Sequence, residues 1–187
     1  MIFEFKENEV IGFIAQSQTG KTYAVCEMLR KANVKPTDIY VLNSNLENDY
    51  YKVSAHVEKP SSSQFNIKYL NDYIRRIRTK SHIILVIDDI DLYLKRSDID
   101  TEFKNLLTNG KHQRITLIYT IKSPSYILEL TFNETQHLFI GNFITSSFLK
   151  KINGILPKEY KDITTELKEH EFVYFNKFLR LVKKVIF

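Results

Sequence analysis

Short uninterrupted apolar runs alternate along the chain with stretches of helical periodicity. Val10-Ile11-Gly12-Phe13-Ile14, within 9–14, carries no polar residue, which predicts a strand buried on both faces. Between Tyr23 and Lys31 the pattern changes. Ala24, Val25, Met28, Leu29 and Ala32 fall on one helix face, and Pro36 stops that helix. Asp38 to Asn43 reads as a second buried strand, and the polar stretch 44–63, ending in Lys59-Pro60-Ser61-Ser62-Ser63, as a loop. Ile67, Leu70, Ile74 and Ile77 mark the next helix, with Arg75, Arg76, Arg78 and Lys80 at its cation-compatible carboxyl end. A third strand runs through His82-Ile83-Ile84-Leu85-Val86-Ile87.

After a charged loop over 92–98, Ile99, Phe103, Leu106 and Leu107 predict a helix capped by Ser97 or Asp98 and closed at Asn109-Gly110. Ile115 to Thr120 and 137–141 are further strands, and 146–153 and 158–168 read as helices. Glu171 to Phe175 and Phe178 to Val182 form a hairpin about a two-residue turn, Asn176-Lys177. Residues 2–6 alternate and predict an edge strand. Strands alternating with helices argue for a parallel sheet with helices on both faces.

Composition narrows this picture little. The 187 residues suit one domain, and 43% hydrophobic content suits a normal core. A net charge of +5 and a pI near 9.1 lean toward polyanionic partners, although a soluble protein that is simply basic fits as well. Cys26 is the single cysteine, so no intrachain disulfide forms, which fits a reducing compartment. Its place on an amphipathic helix with no histidine near in sequence makes it a core residue rather than a nucleophile. Residues 1–6 lack a basic n-region and a long apolar run, so no signal peptide is expected. Without a window of 18 apolar residues, no membrane span is expected either.

The chemistry sits where the first strand meets the first helix. Ala15-Gln16-Ser17-Gln18-Thr19-Gly20-Lys21-Thr22 fits a phosphate-binding loop, [Gly/Ala]-x-x-x-x-Gly-Lys-Thr, in the strand–loop–helix setting the motif requires. Successive backbone N–H groups curl into an anion site to which the helix start adds its positive dipole end. Lys21 would reach the β- and γ-phosphates, the Thr22 hydroxyl would ligate Mg²⁺, and Tyr23 follows directly. The bland alternative is a glycine-containing loop that ends a strand and binds nothing. The strand ending at Ile87 delivers Asp88 and Asp89 to its carboxyl end, where open α/β sheets place ligands. Asp88 would hold Mg²⁺, directly or through water. Asp89 would orient or deprotonate an attacking water. Asp91 reads as a turn or cap residue.

Three segments together resemble the FtsK–HerA superfamily of DNA-pumping ATPases: Ala15–Thr22, Ile83–Asp89, and Leu106-Leu107-Thr108-Asn109-Gly110-Lys111-His112-Gln113-Arg114-Ile115 running into Tyr119 to Pro124. The likeness is greatest to the genome-packaging ATPases of tailless icosahedral viruses with an internal membrane, including those of archaea. It covers residues 9 to about 145, and the hairpin more loosely. The resemblance implies an α/β P-loop NTPase fold of the RecA/FtsK-like kind, a mainly parallel sheet flanked by helices with a C-terminal antiparallel hairpin, forming a single motor domain over 1–187. It further implies ATP and Mg²⁺ as cofactors, hydrolysis coupled to movement of double-stranded DNA, and a homo-oligomeric ring, hexamer or pentamer. A capsid or internal-membrane component would be the docking partner, and the location host cytoplasm or virion.

Two positions depart from the family. Lys122 stands where a polar sensor, commonly Gln, is expected. As a cation it could bind a γ-phosphate but could not accept a hydrogen bond from water. Lys111 stands where Arg is usual and lacks the bidentate fork of a trans-acting finger. Arg114 and Arg96 are then the better finger candidates, with Lys95, Arg96, Lys150 and Lys151 as candidate channel cations and His112 as a possible member of the same motif. The catalytic set so read is Lys21, Asp89, Lys122 and Arg114. Two other classes share the loop: a nucleoside- or nucleotide-kinase-like phosphotransferase, against which the lack of an Arg-rich lid in 44–63 speaks, and an assembly or extrusion NTPase of the phage type.

Overall fold

The computed structural model describes residues 4–44, 49–77, 81–94, 107–108, 114–122, 133–142, 166–179 and 181–187. The apolar runs become strands: β1 Val10–Ile14, β2 Ile39–Leu42, β4 Ile83–Ile87, β5 Ile115–Ile121 and β6 His137–Ile140. All residues of β1, β4 and β5 are buried, which is the signature of strands covered on both faces. With β3 (His56–Glu58), β7 (Glu171–Asn176) and β8 (Leu181–Ile186) they form an eight-stranded sheet of order β3-β2-β4-β5-β1-β6-β7-β8. Strands β1 to β6 run parallel, and β7 and β8 continue the sheet antiparallel. This is the architecture the resemblance implies.

The order has a consequence for chemistry. Because β5 lies between β1 and β4, the phosphate loop after β1 and the acids after β4 face one another across the carboxyl end of β5. Among the described residues two α-helices accompany the sheet, α1 (Lys21–Lys31) and α2 (Ile67–Ile77). Helix α1 begins at Lys21, two residues before the apolar pattern shows it, because Lys21 and Thr22 form its first turn. It ends at Lys31, so the chain has already left the helix before Pro36, which instead opens a short 3₁₀ turn, Pro36–Asp38.

Four expectations change. Residues 4–6 are not a strand. The stretch 44–63 is not only loop: it holds a 3₁₀ turn at Asp49–Lys52 and the edge strand β3, which is too short and polar to show alternation and exists because β2 pairs with it. Arg76 is not simply a solvated cation, since it meets Glu58 at 2.7 Å and lies over the Tyr73 ring at 5.4 Å, tying α2 to that edge. The hairpin turn is longer than two residues. Asn176 pairs with Leu181, so 177–180 connect the strands and Phe178 and Leu179 stand exposed at the tip. The helices expected at 146–153 and over most of 99–107 and 158–168, and the residues Arg78, Lys80, Lys95, Arg96, Lys111, His112, Lys150 and Lys151, lie outside the described residues.

An aromatic cluster joins the hairpin to the parallel sheet. Phe13 of β1 stacks on Phe139 of β6 at 4.4 Å, Phe172 of β7 meets Phe13 edge-on at 5.8 Å, and Phe187 closes the group. Cys26 is buried in the core, where the apolar surroundings push its thiol up to about 12 and leave it inert. No helix among the described residues is long and apolar enough to cross a membrane.

Candidate active site

The phosphate loop is held by its own side chains. Thr19 Oγ1 donates to the Gln16 carbonyl at 2.8 Å, and the Lys21 ammonium curls back to donate to the carbonyls of Ala15 (2.7 Å) and Gln16 (2.6 Å). Gln18 and Gly20 both take left-handed backbone angles, φ 63° and 84°. This turns the loop tightly enough to lead straight into α1, whose cap makes no side-chain hydrogen bond. The N-cap residue, Gly20, thus offers the first N–H groups of the helix no side-chain acceptor. Burial lowers the Lys21 ammonium to about 8, against the pull of Asp89 and Asp88 toward the charged form.

Asp88 and Asp89 emerge from β4 in different environments. Asp88 continues the pairing with β2, its N–H donating to the Leu42 carbonyl at 2.9 Å. Its Oδ1 accepts from Tyr50 (3.1 Å) and from Thr120 Oγ1 (2.9 Å). Burial and the neighbouring Asp89 charge raise its carboxyl to about 6, partly offset by those two hydrogen bonds. Asp89 adopts the left-handed conformation (φ 53°, ψ 56°), which an aspartate tolerates better than most residues. The bend lets its N–H donate to Thr120 Oγ1 at 2.7 Å. Its Oδ2 accepts from Ser44 Oγ at 2.6 Å and meets the Lys122 ammonium at 2.7 Å. Burial alone would lower the Lys122 ammonium, but the hydrogen bond and charge of Asp89 outweigh it and hold it above its ordinary value.

These groups surround one cavity of about 550 Å³. Of the residues singled out in the sequence, Ser17, Gln18, Gly20, Lys21, Thr22 and Tyr23 line it from the loop and helix, and Asp88, Asp89 and Lys122 from the ends of β4 and β5. Arg114 is not among them. It precedes β5 at the amino end of the sheet, beside Glu7 at 3.9 Å, and so cannot serve its own cavity. Asp91 sits in a 3₁₀ turn, as its position suggested, with Lys122 N–H at 3.5 Å from its carboxylate. Sequence reading missed Ser44, Tyr50 and Thr120, which brace the two acids, and Asp49, Glu169 and His170, which complete the wall. Thr120, one residue inside the end of a strand beside the acids, had a readable position. The others come from segments whose sequence carries no motif.

The donors fit a magnesium nucleotide. The Thr22 hydroxyl and the Asp88 carboxylate are hard oxygen ligands on one cavity, and no cluster of three or more His, Cys, Asp or Glu among the described residues would hold a metal by protein groups alone. One or two protein oxygens plus phosphates is the arrangement Mg²⁺ favours.

The sheet order, the loop and the paired acids define the class of fold, a P-loop NTPase. Solved structures agree. The genome-packaging NTPase B204 of Sulfolobus turreted icosahedral virus 2, in complex with ATPγS, superposes with a TM-score of 0.80 at 13% identity, covering 96% of this chain and 98% of that one. The DNA-packaging ATPase B204 of Sulfolobus turreted icosahedral virus gives a TM-score of 0.80 at 14% identity over 96% and 98%. The pCW3 conjugation coupling protein TcpA, with ATPγS, gives 0.66 at 16% identity over 96% of this chain and 60% of its own. No family model and no curated protein sequence matches the chain. The likeness is one of fold, and it agrees with the resemblance carried by the sequence motifs.

Proposed function

We propose that the chain is a single-domain ATPase motor that moves double-stranded DNA, and that the DNA is a viral genome being packed into a capsid. The observation that carries the reading is the convergence of the phosphate loop, the Asp88–Asp89 pair and Lys122 on one cavity, in a fold shared along nearly its whole length with B204.

In this reading the loop N–H groups and Lys21 bind the β- and γ-phosphates, the ammonium exchanging the Ala15 and Gln16 carbonyls for phosphate oxygens. Thr22 and Asp88 would hold Mg²⁺, which when bound neutralises charge on the phosphate oxygens. Tyr50 and Thr120 keep Asp88 aimed while it does so. Asp89 takes the proton of the attacking water or orients it. With Lys122 and Ser44 on its Oδ2, that carboxylate is restrained until Lys122 swings to the γ-phosphate. Lys122 thus fills the sensor position by a charge exchange that a glutamine could not make. Arg114, remote from its own cavity, acts only across a subunit boundary. The working form in this reading is a ring, hexamer or pentamer, with a capsid or internal-membrane component as its dock. Backbone phosphate contacts would dominate DNA binding, with a steep salt dependence and little sequence preference.

The test is ATP turnover with and without double-stranded DNA, for the native chain and for Lys21→Ala. Turnover stimulated by DNA and abolished by the substitution is expected. Turnover that answers to nucleosides and not to DNA would replace the motor by a phosphotransferase.

A further inference from the structure

The mouth of the cavity is built differently from its phosphate end. Tyr23, the residue after Thr22, is half-exposed there, and its ring lies 4.4 Å from that of His170 at an interplanar angle of 33°. His170 precedes β7, far from the loop in sequence, yet it is fixed over it by several constraints. Its N–H donates to the Thr19 carbonyl at 3.1 Å, its own carbonyl accepts the Phe187 N–H at 3.2 Å, and its backbone is left-handed, φ 64°. The ring lies against Gly20 so closely that a Cβ on Gly20 would run into it. A histidine in a left-handed bend, hydrogen-bonded on both sides, is over-determined by its surroundings, and such positions mark function more often than chance.

Both rings line the cavity beyond the phosphate-binding groups. They touch one another, so no third ring fits between them. Each ring covers one face of the other, so what the pair can offer a ligand is an outer ring face, beyond the groups that would bind a triphosphate. A flat heteroaromatic group is the ligand chemistry such a surface recognises.

We infer that Tyr23 and His170 form the nucleobase subsite of the cavity, a stacking platform for a purine. The inference rests on the reading that the cavity binds a nucleoside triphosphate. Stacking is tolerant of base identity, so ATP and GTP both bind, and both bind better than UTP, whose single ring covers less of the platform.

The experiment measures, on the full chain, the affinities of ATP, UTP and inorganic tripolyphosphate for the native protein and for Tyr23→Ala, Tyr23→Leu, Tyr23→Phe and His170→Ala. Losing one stacked ring is expected to weaken ATP by roughly 5- to 100-fold. The preference over UTP should shrink, tripolyphosphate affinity should stay at the native level, and Tyr23→Phe should retain ATP binding. Tyr23→Leu keeps apolar bulk without a ring and should behave as Tyr23→Ala. Alanine variants that bind ATP as the native chain does would overturn the proposal. So would an equal loss of ATP and tripolyphosphate, which would make the two residues mere supports of the loop. A native chain that binds neither ATP nor tripolyphosphate would instead defeat the nucleotide reading beneath it.

Discussion

The central parallel strands and the last strand of the C-terminal hairpin belong to one sheet but bury their residues in opposite ways. β1, β4 and β5 are buried at every position, whereas only Val185 of β8 is buried. Strands closed on both faces leave nowhere for polar chemistry except their ends, and the ends of β1, β4 and β5 are where Lys21, Asp88, Asp89 and Lys122 gather. β8 does the reverse. β7 carries Phe172 into the aromatic cluster, while β8 presents Lys183 and Lys184 along the sheet's edge, the kind of charge that discourages further strand pairing. The carboxyl ends of β1, β4 and β5 thus carry the candidate active site. The hairpin closes the sheet's far edge and, through His170 at its base, touches the phosphate loop.

Substitutions can break or sharpen that contrast. Asp89→Asn should produce the largest effect, a fall in turnover of roughly 10²- to 10⁴-fold as the water loses its base, with ATP affinity retained. Single-turnover phosphate release and nucleotide titration separate the two, and a variant that still turns over ATP would sink the assignment of Asp89. Phe172→Ala should cost about 3–5 kcal/mol in urea unfolding, since the ring is fully buried between Phe13 and Phe187. A loss below 1 kcal/mol would mean that the hairpin is not anchored by this cluster.

Asp88→Asn should do the opposite to stability. A carboxyl raised from 3.8 to about 6 binds its proton more tightly when folded, so its ionisation weakens the fold as pH rises from about 4 through about 6. Removing that charge should stabilise the nucleotide-free chain at pH 8, and the gain should vanish below pH 4. The asparagine oxygen still accepts from Tyr50 and Thr120. A destabilised variant at pH 8 would mean that Asp88 is held as an anion by its neighbours. The smallest effect belongs to the hairpin tip. Phe178→Ser with Leu179→Ser should shift stability by no more than about 0.5 kcal/mol, because both side chains are 73% exposed. A loss comparable to that of Phe172→Ala would erase the distinction between the two parts of the hairpin.

Much of this was legible in the sequence where neighbours along the chain decide the outcome. Short, largely apolar runs between polar segments read as buried strands, so β1, β2, β4, β5 and β6 were readable to within a residue or two. Gly20-Lys21-Thr22 declares a tight loop entering a helix, and Asp88-Asp89 lies at a strand end by the length of the run before it. β3 was hidden because His56–Glu58 is extended only by pairing with β2, and the hairpin turn was misplaced because Asn176-Lys177 carries a turn signal that the register overrules.

By itself, then, the sequence determined the apolar strands of the parallel sheet and where the phosphate-loop motif and the two acids fall along them, since backbone geometry and burial act over a few residues. Only the tertiary structure decided the strand order, with β2 beside β4, β5 between β4 and β1, and β7 beyond β6. From that order follow Thr120 bridging Asp88 and Asp89, Lys122 closing on Asp89, Tyr50 reaching in from a polar stretch, and His170 lying on Gly20. Those contacts join residues tens of positions apart, and no local periodicity or spacing encodes them. They exist because strand order brings residues distant along the chain together at the carboxyl ends of neighbouring strands.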